Sequence, residues 1–271
     1  MTFNLSTSTA VFGGFTNTFA AFERYQLGNG TNTITGSAAA DGFVRGGTGS
    51  DTFNASTGAD QFDGDGGTDT YNFASTTNGV TVNLLLGSNQ VTNDGYGNIE
   101  TISNVENITG SGFVDNITGS AVANTLIGNN GNDTLNGDAG NDNIQGGNGD
   151  DIIDGGADND TIDGGANNDT IAGGSGDDTI VGGTGNDTID GGTNTAVGAA
   201  SGGDTANYSA ATTLVTVDLQ TVGVNATGTT IGNDTLTNIE NVSGGTGNDV
   251  IRGDGNSNRF VGNNGNDSLN G

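Results

Sequence analysis

The apolar residues of this chain are sparse and arrive at a fixed interval. From Gly128 to Asp190 the sequence runs through seven unbroken nine-residue units: GNNGNDTLN, GDAGNDNIQ, GGNGDDIID, GGADNDTID, GGANNDTIA, GGSGDDTIV and GGTGNDTID. GSGFVDNIT from Gly110 and GSAVANTLI from Gly119 keep the same spacing, so residues 110–190 form nine consecutive units. Position eight is Leu or Ile between more polar neighbours, the pattern of a very short strand with one side chain inward. The preceding half is rich in glycine, which tolerates the positive φ angles of a tight turn, and places Asp at position six. Two segments depart from this period. Val80, Val82, Leu84 and Val215, Val217, Leu219 alternate with polar residues and predict longer strands that widen the same structure. Near the N-terminus Phe12, Phe15, Phe19 and Phe22 follow three-four-three spacing, which predicts a short helix near 16–26.

Composition narrows the chemistry sharply. The 271 residues include 53 glycines but no proline, cysteine, histidine or tryptophan, and all four basic residues are arginines: Arg24, Arg45, Arg252 and Arg259. Zinc sites of the usual kind, Ser/His/Asp triads, thiol nucleophiles, Schiff-base lysines and P-loops are therefore excluded. Of the 32 acids only Glu23, Glu100, Glu106 and Glu240 are glutamates, and the formal charge is -28. A chain so charged and so poor in apolar residues borders on disorder and is not expected to fold without a cationic partner. Nucleic acid and anionic membranes would repel it, and no stretch has the apolar length of a membrane span. Met1 to Leu27 lacks the charged and compact apolar regions of a signal peptide.

A glycine-rich turn with one Asp offers oxygen ligands only. In the absence of His and Cys, this argues for calcium over zinc, copper or nickel. Flexible main-chain carbonyls favour calcium over magnesium as well. The units match GGxGxDxUx, and the chain resembles the RTX family of calcium-binding nonapeptide repeats. The resemblance implies an all-β fold, a parallel β-roll or β-solenoid in which two nonapeptides make one turn and calcium ions sit between turns stacked 18 residues apart. Carried onto this sequence, it implies one ligand ladder of Asp115, Asp133, Asp151, Asp169 and Asp187 and an opposite one of Asp142, Asp160 and Asp178. The matching core ladders are Ile117, Leu135, Ile153, Ile171, Ile189 and Leu126, Ile144, Ile162, Ile180. Asn124 stands where the second ladder would begin with Asp, so a site there is expected to be weaker or empty.

The repeat recurs at both ends. GGTGSDTFN, ASTGADQFD and GDGGTDTYN at 46–72 add Asp51, Asp60 and Asp69, and GGTGNDVIR, GDGNSNRFV and GNNGNDSLN at 244–270 add Asp249 and Asp267, with Asn258 between them. The intervening inserts are copies: 69–84 aligns on 204–219, and 102–110 on 236–244, a duplicated module of roughly 134 residues. The expected organisation is an N-terminal aromatic cap or assembly segment (1–27), a short roll (28–73), an insert (74–109), the main roll (110–192), a second insert (193–243, duplicating 66–109) and a C-terminal roll (244–271). Tyr71, Phe73 and Tyr208 in the inserts are expected to pack wider rungs rather than to bind carbohydrate.

No catalytic set is present, and the paired carboxylates read as ligands, so no enzyme is expected. Thr at unit position three occurs only at Thr48, Thr57, Thr184 and Thr246, a row too broken for ice binding. The expected function is a secreted, calcium-binding structural protein of a bacterial surface: an S-layer, matrix or filament subunit that folds and assembles on calcium. The alternative is a calcium-folded accessory or adhesin module of a larger exported protein. Copies of the chain itself are the expected partners, with cell-surface polysaccharide as a second candidate. Export by a signal-peptide-independent, type I route is expected. The chain stops at Gly271, the counterpart of Gly137, which suits either a fragment or an open rung that accepts a neighbour.

Overall fold

A computed structural model describes residues 2–4, 9–12, 15–18, 24–36, 42–194 and 202–271, with side chains from residue 26 onward. It is all-β, built from strands of three to six residues, and divides into two units, residues 1–130 and 131–271.

In the second unit the nonapeptides alternate between two parallel sheets. One stacks Asn143–Asn148, Thr161–Ala166, Thr179–Thr184, Thr205–Asn207, Asn241–Ser243 and Arg259–Val261 in that order. The other begins Thr134–Asp138, Ile152–Ala157, Thr170–Ser175, Thr188–Thr193. The register advances by 18 residues, Ile144 on Ile162 on Ile180 and Ile153 on Ile171 on Ile189. These position-eight side chains are buried, whereas Ile152 at position seven is 57% exposed. Period-two alternation thus gives each nonapeptide one inward aliphatic side chain, as the sequence requires. The first unit repeats this construction. Ile34, Phe53, Tyr71, Ile108 and Leu126 stack in one sheet and Tyr25, Val44, Phe62 and Ile102 in another.

The inserts do not contain the longer strands that their alternation predicts. In the second, the strand Val215–Asp218 pairs antiparallel with Val224–Gly228, which pairs antiparallel with Gly232–Thr237. Gly232–Thr237 then stacks parallel on Thr188–Thr193, and Val215–Asp218 on Val250–Arg252. One reversed strand therefore lies between two parallel ones. The first insert has the same order: Thr81–Asn83 antiparallel to Val91–Asn93, with a single antiparallel bridge from Val91 to Glu100. Tyr71, Phe73 and Tyr208 are buried, and Phe53, Phe62, Tyr71 and Phe73 form a run of rings with centroids 4.8–5.0 Å apart along Phe62–Phe53–Tyr71–Phe73. Packing accounts for them.

The expected helix near 16–26 is replaced by strands. Phe15–Thr18 pairs antiparallel with Thr9–Phe12, and Arg24–Gln26 pairs parallel with Phe43–Gly47; residues 19–23 lie outside the described residues. Phe and the β-branched Thr16 and Thr18 favour extended backbone, and pairing overrides a stripe of four aromatics.

The core's dependence on one side chain per nonapeptide sets a first expectation. Ile162→Ala, at a fully buried position, should cost about 2–5 kcal/mol. Ile152→Ala, at an outward position, should cost less than about 1 kcal/mol. Denaturant unfolding of both variants in saturating calcium measures the difference, and equal losses would contradict the inward assignment.

Candidate metal centres

Each turn buries the position-six carboxylate, whose two oxygens have different surroundings. Oδ1 accepts the main-chain N–H of the position-six residue one turn earlier: Asp133 donates to Asp151, Asp142 to Asp160, Asp151 to Asp169, Asp160 to Asp178 and Asp169 to Asp187, at 2.8–2.9 Å. In the first unit Asn32 donates to Asp51 and Asp51 to Asp69, both at 2.7 Å. The other oxygen, Oδ2 of Asp51, Asp69, Asp151, Asp160, Asp169, Asp178 and Asp187, is buried and accepts no hydrogen bond. An aspartate in this ladder thus joins two turns by one hydrogen bond and keeps one oxygen for something else.

That oxygen faces main-chain carbonyls. A Cβ placed on Gly164 would lie 2.5 Å from Asp169 Oδ2 and 2.6 Å from the carbonyl oxygen of Gly182. The same cradle recurs at Gly146 with Asp151 and Gly164 O, at Gly155 with Asp160 and Gly173 O, at Gly173 with Asp178 and Gly191 O, at Gly137 with Asp142 and Gly155 O, and at Gly46 with Asp51 and Gly64 O. At these corners a methyl group on position one would fill the space where carboxylate and carbonyl meet. Among the described residues no three carboxylates converge, so each cradle combines a carboxylate oxygen with main-chain oxygens. Hard, flexible, oxygen-only coordination suits calcium, and the buried Oδ2 atoms are the donors such an ion requires.

Burial also perturbs the acids. It pushes Asp160 and Asp169 up to about 7 and Asp69 and Asp151 up to about 6, with the main-chain hydrogen bond opposing the rise and nearby carboxylates adding to it.

Not every expected residue stands in such a cradle with a bare oxygen. Asp115 accepts the N–H of Val80 and the hydroxyl of Ser111 on Oδ1 and the N–H of Ser111 on Oδ2. Its copy Asp249 accepts Val215 N–H on Oδ1 and Gly245 N–H on Oδ2. Asp60 Oδ2 accepts the hydroxyl of Ser56 at 2.7 Å. Asp267 is half-exposed, and its Oδ1 accepts the N–H of Asp249. At Asn124 the side-chain amide donates to the carbonyl of Glu106 at 2.7 Å, placing an N–H where the ladder elsewhere has a carboxylate.

Asp204 and Asp234 extend the ladders beyond the residues singled out by the nine-residue count. Asp178 N–H donates to Asp204 Oδ1 and Asp187 N–H to Asp234 Oδ1. The insert breaks the count, but the alignment of 69–84 on 204–219 places Asp204 opposite Asp69, and that signal was sufficient to find it.

A stack of parallel turns with aspartate-and-carbonyl cradles at its corners defines the class: a cation-binding β-roll. The model of the RTX calcium-binding nonapeptide repeat (4 copies) matches residues 39–71, 109–144, 137–171, 163–194 and 229–269, more than half of the sequence. The chain belongs to this family and is a calcium-binding repeat protein. Among curated proteins none matches it significantly.

The raised carboxyls fix a pH dependence. Unfolded, an Asp titrates near 4. Folded without cation, these titrate near 6–7, so the folded state holds its protons more tightly. Stability of the cation-free fold is then greatest at low pH and falls as pH rises from about 4 through 7. In chelator, acidification from pH 8 to pH 5 should increase the β signal in circular dichroism; a signal constant over that range would contradict the burial of these groups.

Proposed function

We propose that this chain is an exported structural protein of a bacterial surface, an S-layer, matrix or filament subunit, that folds on calcium and assembles with copies of itself. The row of buried, unpaired Oδ2 atoms facing carbonyls carries the reading. Without a cation each is a desolvated acceptor beside like charges, so the roll is a conditional structure. Asp51, Asp69, Asp142, Asp151, Asp160, Asp169 and Asp178 would hold the ions with the carbonyls of their cradles, and Asp133 and Asp187 continue the same ladder. Bound calcium would supply the positive charge that closes each corner. Asp60, Asp115 and Asp249 already have hydrogen-bond donors at these oxygens and serve as corners closed by the protein itself.

Proteins with RTX repeats are typically exported, and among the described residues no helix is long and apolar enough to cross a membrane. A signal-peptide-independent route suits a chain that stays unfolded at low cytosolic calcium and folds in the ~0.1–1 mM range of extracellular modules. Self-assembly would need an open strand edge at the end of a roll. Such an edge accepts another strand, and heterologous contacts of that kind propagate into filaments. Cell-surface polysaccharide remains a second candidate partner by charge and location alone.

Circular dichroism and electron microscopy of the full chain, with calcium and with chelator, test both halves of the reading. Coil in chelator, β structure with calcium and filaments or lattices only with calcium are expected. A β spectrum indifferent to chelator overturns calcium-dependent folding. A chain that folds on calcium yet stays monomeric at high concentration moves the assignment to an accessory or adhesin module of a larger exported protein.

A further inference from the structure

We propose that each of the two inserts, although outside the nine-residue pattern, completes a calcium site of its own, built by a shortened corner with the sequence Asn-x-Glu. The inference rests on the reading that the rolls bind calcium. The corners are Asn104–Val105–Glu106 in the first unit and Asn238–Ile239–Glu240 in the second.

In a consensus unit six residues, GGxGxD, lie between one x-aliphatic-x triplet and the next, as Gly164–Asp169 lie between Thr161–Asp163 and Thr170–Ala172. In the inserts, Thr101–Ser103 is followed by Asn104, and Asn107–Thr109 begins directly after Glu106, so three residues turn the chain instead of six. Two features make the short corner fit. Asn104 and Asn238 adopt left-handed backbone, with φ of 48° and 52°, a conformation Asn tolerates better than most residues with a side chain. The glutamate is one methylene longer than Asp and reaches back to do what Oδ1 does elsewhere: Glu106 Oε2 accepts the N–H of Asp69 at 2.9 Å, and Glu240 Oε2 that of Asp204 at 3.0 Å.

The result reproduces a consensus cradle. Asp204 Oδ1 accepts the N–H of Asp178, while Asp204 Oδ2 is buried and accepts no hydrogen bond, in a residue with no exposed surface. The carbonyl oxygen of Asn238 takes the place of the position-one glycine carbonyl: a Cβ on Gly191 would meet both Asn238 O and Asp204 Oδ2. In the first unit a Cβ on Gly64 would likewise meet Asn104 O and the buried, unpaired Asp69 Oδ2. One carboxylate oxygen and one carbonyl, delivered by unrelated turn chemistry, thus recur in both copies with the same connectivity. Burial drives the carboxyl of Asp204 up to about 7, as in the consensus corners. The ligand class is a divalent, oxygen-preferring cation of calcium's size.

What happens when nitrogen takes the carboxylate's place is visible at Asn32, whose side-chain amide donates to the carbonyls of Gly28, Gly30 and Gly46 and to Asp51 Oδ1. An amide hydrogen there fills a carbonyl cradle without metal. Asp204→Asn and Asp69→Asn should do the same, keeping Oδ1 as an acceptor and closing the site with Nδ2.

The test counts bound calcium by equilibrium dialysis of the full chain at a concentration just saturating the wild type. Asp69→Asn and Asp204→Asn should each bind one ion fewer and the double variant two fewer, with an unchanged β spectrum in calcium. Asp154→Asn, on an outward strand position, should leave the count unaltered. An unchanged count in the double variant overturns the inference while leaving calcium-dependent folding intact; a wild type that binds no calcium overturns both. If the double variant does not fold in calcium, anomalous diffraction from wild-type crystals grown with calcium decides. An ion peak between Asp204 Oδ2 and Asn238 O supports the site, and ions in consensus corners with none there refute it.

Discussion

The fold depends on stacking like charges in register. A parallel roll repeats each residue about every 4.8 Å along its axis. Position six therefore puts carboxylates above one another, and two unit charges at that separation repel by about 3 kcal/mol at an effective dielectric of 20. A globular protein would dilute such a column with other residues; a strict nine-residue repeat cannot. The column can be neutralised by protons, by a cation or by hydrogen-bond donors placed at each carboxylate. One buried aliphatic side chain per nonapeptide leaves little apolar driving force to override unneutralised charge. The side chains that face outward, such as Ile152 and Thr161, add none. The ladder thus makes folding responsive to conditions outside the chain.

Along its length the protein uses different closures for the same corner. At Asp51, Asp69, Asp151, Asp160, Asp169, Asp178 and Asp187, Oδ2 accepts no hydrogen bond. At Asp115 and Asp249 a main-chain N–H covers Oδ2, at Asn32 an amide enters the carbonyls, and at Asp234 the hydroxyl of Tyr208 donates to Oδ2 at 3.1 Å. In each unit, then, corners with a bare Oδ2 are interspersed with corners already closed by a hydrogen-bond donor. The latter require no ion to be ordered and provide paired backbone against which cation-dependent turns can close. A repeat protein stabilised by nearest-neighbour interfaces benefits from such points, because each ordered rung templates the next.

Much of this was legible in the residues. Position eight as core and position six as ladder follow from strand alternation and the turn chemistry of Gly and Asp, and both are seen from Asp133 to Ile189. The inserts were less legible for a physical reason: Val215, Val217 and Leu219 alternate as any half-buried strand does, and alternation carries no information about strand direction. The reversed strand Val224–Gly228 is fixed by pairing with Gly232–Thr237, a contact that periodicity does not encode. The phenylalanine stripe misled for the opposite reason, since four aromatics at helical spacing weigh less than extended pairing partners. The dual role of the aspartate, one oxygen for a neighbouring N–H and one for the cradle, was invisible in sequence because it depends on which way the carboxylate turns under the sheet.

The two inserts also show which feature of the design is constrained. Tyr71 donates its hydroxyl to Glu100 Oε2 at 2.5 Å, and burial raises the Glu100 carboxyl to about 8. In the copy, Glu100 corresponds to Asp234, which is shorter, and Tyr71 corresponds to Ala206, which has no hydroxyl to offer. The pairing survives because Tyr208, two residues further along, occupies the place of Phe73 and reaches Asp234 instead. A shift of two residues keeps a side chain on the same face of a strand, so the ring stays in the core while its hydroxyl moves to meet the shorter acid. Neither the tyrosine nor the glutamate has been kept at its position, yet a buried phenol still donates to a buried carboxyl in both copies. The feature preserved through the duplication is the hydrogen bond to that carboxyl, and residue identity has been free to change wherever another donor could reach it.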